Sequence, residues 1–180
     1  MFILLTGPSH VGKTTACWKA LPGLRASGVK VAGFISPPLL DEHGVKTGIE
    51  MVDLTTGKRQ TFARVVRGGE PTTIGVYRLV DEAVEWARGV MSAALWANAD
   101  WLVIDEIGPL ELHEGQGFAF ALEPLADPHR VPNAIVLVRE YLADELAERL
   151  GRTDVVRVRV TAENRGEVPT QLVKLIRAAR

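Results

Sequence analysis

The stretch FILLTGPSHVGKTT, residues 2 to 15, decides the fold class. Phe2 to Thr6 is a short apolar run closing on glycine, the pattern of a fully buried strand. Residues 7 to 14 then match G-x-x-x-x-G-K-[ST], and from Lys13 to about Arg25 the positions of Ala16, Leu21 and Leu24 give helical spacing that Gly28 terminates. A strand, a glycine-bounded loop and a helix in this order make a phosphate cradle. Backbone N–H groups of the loop wrap the phosphates, and the helix adds its positive N-terminal end. The candidate binding segment is Gly7, Pro8, Ser9, His10, Val11, Gly12, Lys13, Thr14 and Thr15. Within it Lys13 supplies a cation for the β- and γ-phosphates and the Thr14 hydroxyl is a ligand for Mg²⁺. His10 reads first as a solvent-facing loop residue, with phosphate contact the lesser reading, and Cys17 as a small core residue.

Outward from this unit the alternation continues. Val29 to Ser36 reads as a second strand, stopped by Pro37 and Pro38. Gly44 to Leu54 and Lys58 to Val66 flank Thr55-Thr56-Gly57 and predict a β-hairpin, and residues 67 to 75 form a Gly- and Pro-bearing connection. Helical spacing runs over Tyr77 to Ala99, followed by a strand at 101 to 105 and a helix near 115 to 126. A strand at Ala134 to Val138, a helix near 140 to 150, a strand at 154 to 160 and a helix near 162 to 178 complete the chain. The class is α/β, a three-layer arrangement with a mostly parallel central sheet covered on both faces and a β-hairpin inserted at about 44 to 66. With 180 residues, 47% of them hydrophobic, the chain is expected to form a single domain over 1–180. The four tryptophans read as core or half-buried packing.

Composition narrows the function classes. A net charge of −1 gives no global electrostatic case for nucleic acid or membrane. No run approaches the ~20 apolar residues of a membrane span, MFILLT lacks a basic leader, and a single cysteine suits a reducing compartment. A soluble cytoplasmic protein is expected. From Arg149 onward eight basic residues stand against three acidic ones. Without an aromatic platform this reads as a solvated face, which disfavours nucleic acid as a partner without excluding it.

In such sheets ligands lie beyond the C-terminal strand ends, where Thr6, Asp105, Arg139 and Thr161 fall. The run WLVIDEIGPLEL, residues 101 to 112, ends a buried strand in two acids. Asp105 is expected to orient Mg²⁺ beside Thr14. Glu106 serves the same site only if the strand ends there, since neighbouring side chains of a strand point apart. Freed at the rim, it would position or polarise a water; the alternative is a surface carboxylate paired with an arginine. Asp105 to Gly108 also fits D-x-x-G, which would bring the Gly108 N–H to the γ-phosphate, while Glu111 and His113 follow on a loop. Arg139 either faces the γ-phosphate, as a catalytic or reporting cation, or pairs with Glu140 or Glu145. Thr161 is a candidate N-cap, and Asn164 and Arg165 are candidates for nucleotide contact beside the cradle.

TGPSHVGKTT, KTGIEMVDLTTG, VIDEIGPLEL and TAENR span nearly the whole chain in order, and together resemble the THEP-type, or cancer-related, nucleoside-triphosphatases. The resemblance implies a P-loop NTPase domain with an added hairpin. It also implies Mg²⁺-dependent hydrolysis of nucleoside triphosphates with broad tolerance of the base. It carries nucleotide binding to Gly7 through Thr14 and the DEIG role to Asp105, Glu106 and Gly108. One departure is Ser9-His10, which stands where family loops usually have Pro-Gly. The spacing survives, so binding is expected to survive with a stiffer loop. The expected activity is therefore slow hydrolysis of ATP, GTP and other nucleoside triphosphates, with Lys13, Glu106 and Arg139 as the catalytic candidates and an activating protein partner left open. A nucleotide or small-molecule kinase shares the same cradle. A nucleotide-gated binding module would show tight binding with negligible turnover.

Overall fold

The computed structural model describes every residue except Arg67, Gly69, Thr72, Thr73, Ile74 and Arg180, so most of the predicted connection over 67 to 75 lies outside the described residues. Five strands form the parallel part of the sheet: β1 (Phe2–Thr6), β2 (Val31–Ile35), β7 (Trp101–Ile107), β8 (Ala134–Val138) and β9 (Val155–Arg159). Four more are antiparallel: β3 (Pro38–Leu40), β4 (Lys46–Asp53), β5 (Arg59–Val65) and β6 (Tyr77–Leu79). The order across the sheet is β6-β5-β4-β2-β7-β8-β1-β9, with β3 beside β4. The helices are α1 (Lys13–Ala26), α2 (Asp81–Trp96), α3 (Pro109–Leu112), α4 (Leu122–Ala126), α5 (Ala143–Leu150) and α6 (Val168–Ala178).

Alternation along the strands splits the core in two, as the pleat requires. Phe2, Leu4, Phe34, Leu102, Ile104 and Val136 face α2, α4 and α5. Ile3, Leu5, Ile35, Val103, Ile135 and Leu137 face α1 and α6. No helix among the described residues is long and apolar enough to cross a membrane. Trp101 is buried, but Trp96 is 77% exposed, with the Arg130 guanidinium over its ring, and does not pack in the core.

Four elements depart from the sequence reading. The hairpin is part of a larger antiparallel extension, because β3 and β6 add to it. Tyr77 to Leu79 was expected in a helix, yet it pairs with β5 (Val65 opposite Tyr77, Ala63 opposite Leu79), and the Val80 N–H continues the ladder to Phe62 O. α2 starts only after that, on Asp81 and Glu82, whose charges suit a helix N-terminus. The helix expected near 115 to 126 is a 3₁₀ turn at Ala119–Ala121 followed by the short α4, and another short helix, α3, precedes them. Thr161 does not cap the last helix. Turns occupy 162 to 167, and α6 begins at Val168 with Pro169 in its first turn, where its missing N–H is tolerated.

Candidate active site

The topology places β8 between the cradle strand β1 and the acidic strand β7, so three C-terminal strand ends open side by side. Gly7 follows β1 with φ 146°, and a Cβ there would stand 2.6 Å from Val160 O, so only glycine fits. His10 takes φ 63°, a left-handed conformation unusual for a side-chain-bearing residue. It thus adopts the backbone that the more usual glycine would supply, at a cost of about 1–2 kcal/mol. Its side chain is exposed, as are Pro8 and Ser9. Lys13 is buried, and its Nζ donates to Gly7 O at 3.0 Å and Pro8 O at 3.1 Å. Burial lowers its pKa, against the opposing pull of Glu106 and Asp105.

Asp105 and Glu106 end up in different environments. Asp105 is buried at 5% exposure; its Oδ2 accepts the Ser36 N–H at 2.9 Å, and its backbone O accepts the Ser36 hydroxyl at 2.6 Å. The Thr14 hydroxyl stands beside its side chain. Burial pushes its pKa up to about 7, outweighing the Ser36 hydrogen bond and the nearby Thr14 hydroxyl. β7 continues past Asp105, contrary to an ending at 105, but its register slips: Asp105 lies opposite Leu137 and Ile107 opposite Val138. Glu106 is the extra residue of this bulge, so strict alternation does not govern it; the Asp105–Glu106 peptide is cis. A third of its side chain (33%) stays open to solvent, and its Oε1 accepts from Arg139 Nε at 3.2 Å.

Arg139 leaves β8 beside the cradle, since the next N–H, of Glu140, donates to Gly7 O at 3.3 Å. The pairing of Arg139 with Glu140 or Glu145 is not what forms. Glu140 is bound to Arg159 and Glu145 to His113, while Arg139 holds Glu106. Burial works against the guanidinium charge, but Glu106 and Tyr141 outweigh it and raise its pKa.

A model of the NTPase family matches residues 2–173. The chain belongs to this family. Nucleoside-triphosphatase THEP1 of Methanopyrus kandleri is 34% identical over 172 residues, covering 96% of this chain and 93% of that one. The protein of the same name from Thermofilum pendens is 35% identical over 174 residues, with 96% and 93% covered. The crystal structure of THEP1 from Aquifex aeolicus matches with a TM-score of 0.68 over 98% of this chain and 99% of that one, at 23% identity, a likeness of fold.

Two expected contacts lie elsewhere. The Gly108 N–H donates to Glu111 Oε2 at 2.9 Å, so it is engaged within its own loop. The Asn164 amide is likewise used internally: Oδ1 accepts the Thr161 N–H at 2.8 Å and Nδ2 donates to Arg159 O at 2.9 Å. Arg165 is exposed beside the cradle, its Cδ 3.9 Å from where a Cβ on Gly12 would stand. Glu111, expected on a loop, is a buried residue of α3. Ser36 was missed, and Glu111 was named without a role. Ser36 sits at a C-terminal strand end, the very place such a search favours, whereas Glu111 stands in the VIDEIGPLEL run but is buried only because the chain folds back to Phe118.

The Asp105 shift has a testable consequence. The unfolded carboxyl loses its proton near 3.8 and the folded one near 7, so between these values the folded state binds more protons. Unfolding free energy then falls as pH rises through that window. Metal-free protein is expected to show a lower urea midpoint at pH ~7 than at pH ~5, and Asp105→Asn to shrink that difference. Glu111 is raised by burial too and contributes with the same sign, so the contrast between wild type and variant carries the test. An unchanged difference in Asp105→Asn would assign the slope to other groups.

Proposed function

We propose that this chain, acting as one unit over residues 1–180, is a slow Mg²⁺-dependent nucleoside-triphosphatase that releases phosphate and the diphosphate from several nucleoside triphosphates. The observation that carries the reading is the division between a buried Asp105 beside Thr14 and an open Glu106 held by Arg139, both at the strand ends beside the cradle. Thr14 and Asp105 offer adjoining hard oxygen donors, which fits Mg²⁺. Among the described residues no three His, Cys, Asp or Glu side chains converge on a metal position, and Mg²⁺ fills most of its shell with water and phosphate oxygens. When bound it would offset charge on the phosphate oxygens.

The chain's own residues supply the rest. Lys13 exchanges the carbonyls of Gly7 and Pro8 for phosphate oxygens and stabilises negative charge as the bond to the leaving diphosphate breaks. Arg139 fixes Glu106 Oε1, and Glu106 Oε2 is the oxygen assigned to the attacking water. With Arg139 engaged in this way, an activating partner would act by bringing a further cation to the γ-phosphate. Base tolerance is supported by the Asn164 amide being occupied, and by Arg165, a flexible cation suited to phosphate or ribose oxygens rather than to one base. At the C-terminal segment Arg152, Arg157 and Arg159 pair with Asp154, Asp144 and Glu140, which lowers the charge open to nucleic acid there. The buried free thiol of Cys17 suits the cytoplasm.

Phosphate release from ATP, GTP, CTP and UTP tests this, each in Mg²⁺ and in EDTA. All four are expected to turn over well below about one per second, in the range of P-loop proteins without an arginine finger, and none in EDTA. Release confined to one nucleotide, or undiminished by EDTA, would overturn the proposal.

A further inference from the structure

Glu111 is a buried charge with no part in the chemistry above. It lies on α3 at 5% exposure; Oε2 accepts the Gly108 N–H at 2.9 Å and Oε1 the Phe118 N–H at 3.2 Å. Gly117 passes so near that a Cβ there would stand 2.3 Å from Oε1. Burying a carboxylate is costly unless donors meet it, and burial does raise the Glu111 pKa against those two N–H groups. Two separate oxygens receive two separate donors. Glutamine, with one accepting oxygen and an NH₂ in place of the other, cannot serve both in this arrangement.

The two donors belong to parts of the chain that matter differently. Gly108 is two residues past Glu106, where the chain leaves β7. Phe118 is set in an aromatic cluster, its ring 4.6 Å from Phe34 on β2 and 6.3 Å from Phe62 on β5. One carboxylate therefore ties the exit of the acidic strand to a packed cluster that spans the central sheet and its antiparallel extension. It also occupies the Gly108 N–H that D-x-x-G spacing would have aimed at the γ-phosphate.

We infer that Glu111 is a positioning residue for hydrolysis, clamping the main chain behind Glu106 and so fixing where the Glu106 carboxylate points. The inference rests on the reading of Glu106 as the group that orients water. Glu111 touches neither nucleotide nor water and acts through Glu106.

The test is phosphate release and equilibrium binding of a fluorescent ATP analogue by wild type, Glu111→Gln, Glu106→Gln and the double variant, with a thermal melt of each. Glu111→Gln is expected to lower kcat roughly 30-fold, the scale of a misplaced catalytic group. KM and analogue affinity should stay within about threefold, and the substitution should cost nothing further in the Glu106→Gln background. Wild-type kcat in Glu111→Gln overturns the inference. So does an equal fold-loss in both backgrounds, which makes the role independent of Glu106. Wild-type kcat in Glu106→Gln marks failure of the hydrolytic reading itself, and a loss confined to Glu111→Gln then gives Glu111 a role of its own, against the inference. If Glu111→Gln melts below the assay temperature, Gly117→Ala carries the test, because its Cβ displaces the carboxylate without removing the charge. The same fall in kcat at constant KM supports the inference, and wild-type kcat overturns it.

Discussion

Replacing Lys13 with alanine is expected to lower phosphate release at least about 100-fold and to weaken nucleotide binding, because it removes the cation preorganised inside the cradle. The side chain is buried, with its Nζ held within the loop by Gly7 O and Pro8 O. Loss of fold is not the expected cause. Burial lowers the Lys13 pKa, so its charge is disfavoured in the folded state and the alanine variant sheds that cost. The melting temperature of Lys13→Ala should therefore equal or exceed that of wild type in nucleotide-free buffer. Phosphate release within tenfold of wild type, measured at saturating nucleotide, would show that the phosphates bind elsewhere.

Glu106→Gln is expected to cut kcat by about 10²- to 10³-fold, the contribution of a positioned general base, while nucleotide affinity stays near that of wild type. The replacement keeps the shape and leaves a carbonyl for Arg139 Nε, but it removes the oxygen that would draw a proton from water. Asp105 and Thr14 are untouched by this change, so metal and nucleotide binding should persist. A parallel loss of affinity and turnover would instead make Glu106 part of the binding site.

Much of this site was legible because it obeys local rules. FILLT followed by GPSHVGKTT fixes a strand, a loop and a helix within one window, and the apolar run ending at Asp105 marks the companion strand. The different fates of Asp105 and Glu106 needed the structure, since a bulge is a matter of register between β7 and β8. Tyr77 to Leu79 was hidden for a similar reason: its residues fit the helical spacing that follows, and only β5 alongside makes them a strand. Asn164 looked free for a nucleotide because its hydrogen bonds run to Thr161 and Arg159 through a turn with no sequence signature of its own. Arg139 was read as facing the γ-phosphate or as pairing with Glu140 or Glu145, and the pair it makes is across strands with Glu106, 33 positions away.

The central claim is that Glu106 serves the water and not the nucleotide, and a single-turnover experiment addresses it most directly. Protein in excess over Mg²⁺-ATP would be quenched over time, for wild type and Glu106→Gln, with binding measured in parallel. The account predicts one phosphate formed per bound nucleotide by wild type, and tight binding with almost no phosphate formed by the variant. Equal rates of phosphate formation in the two proteins would contradict it.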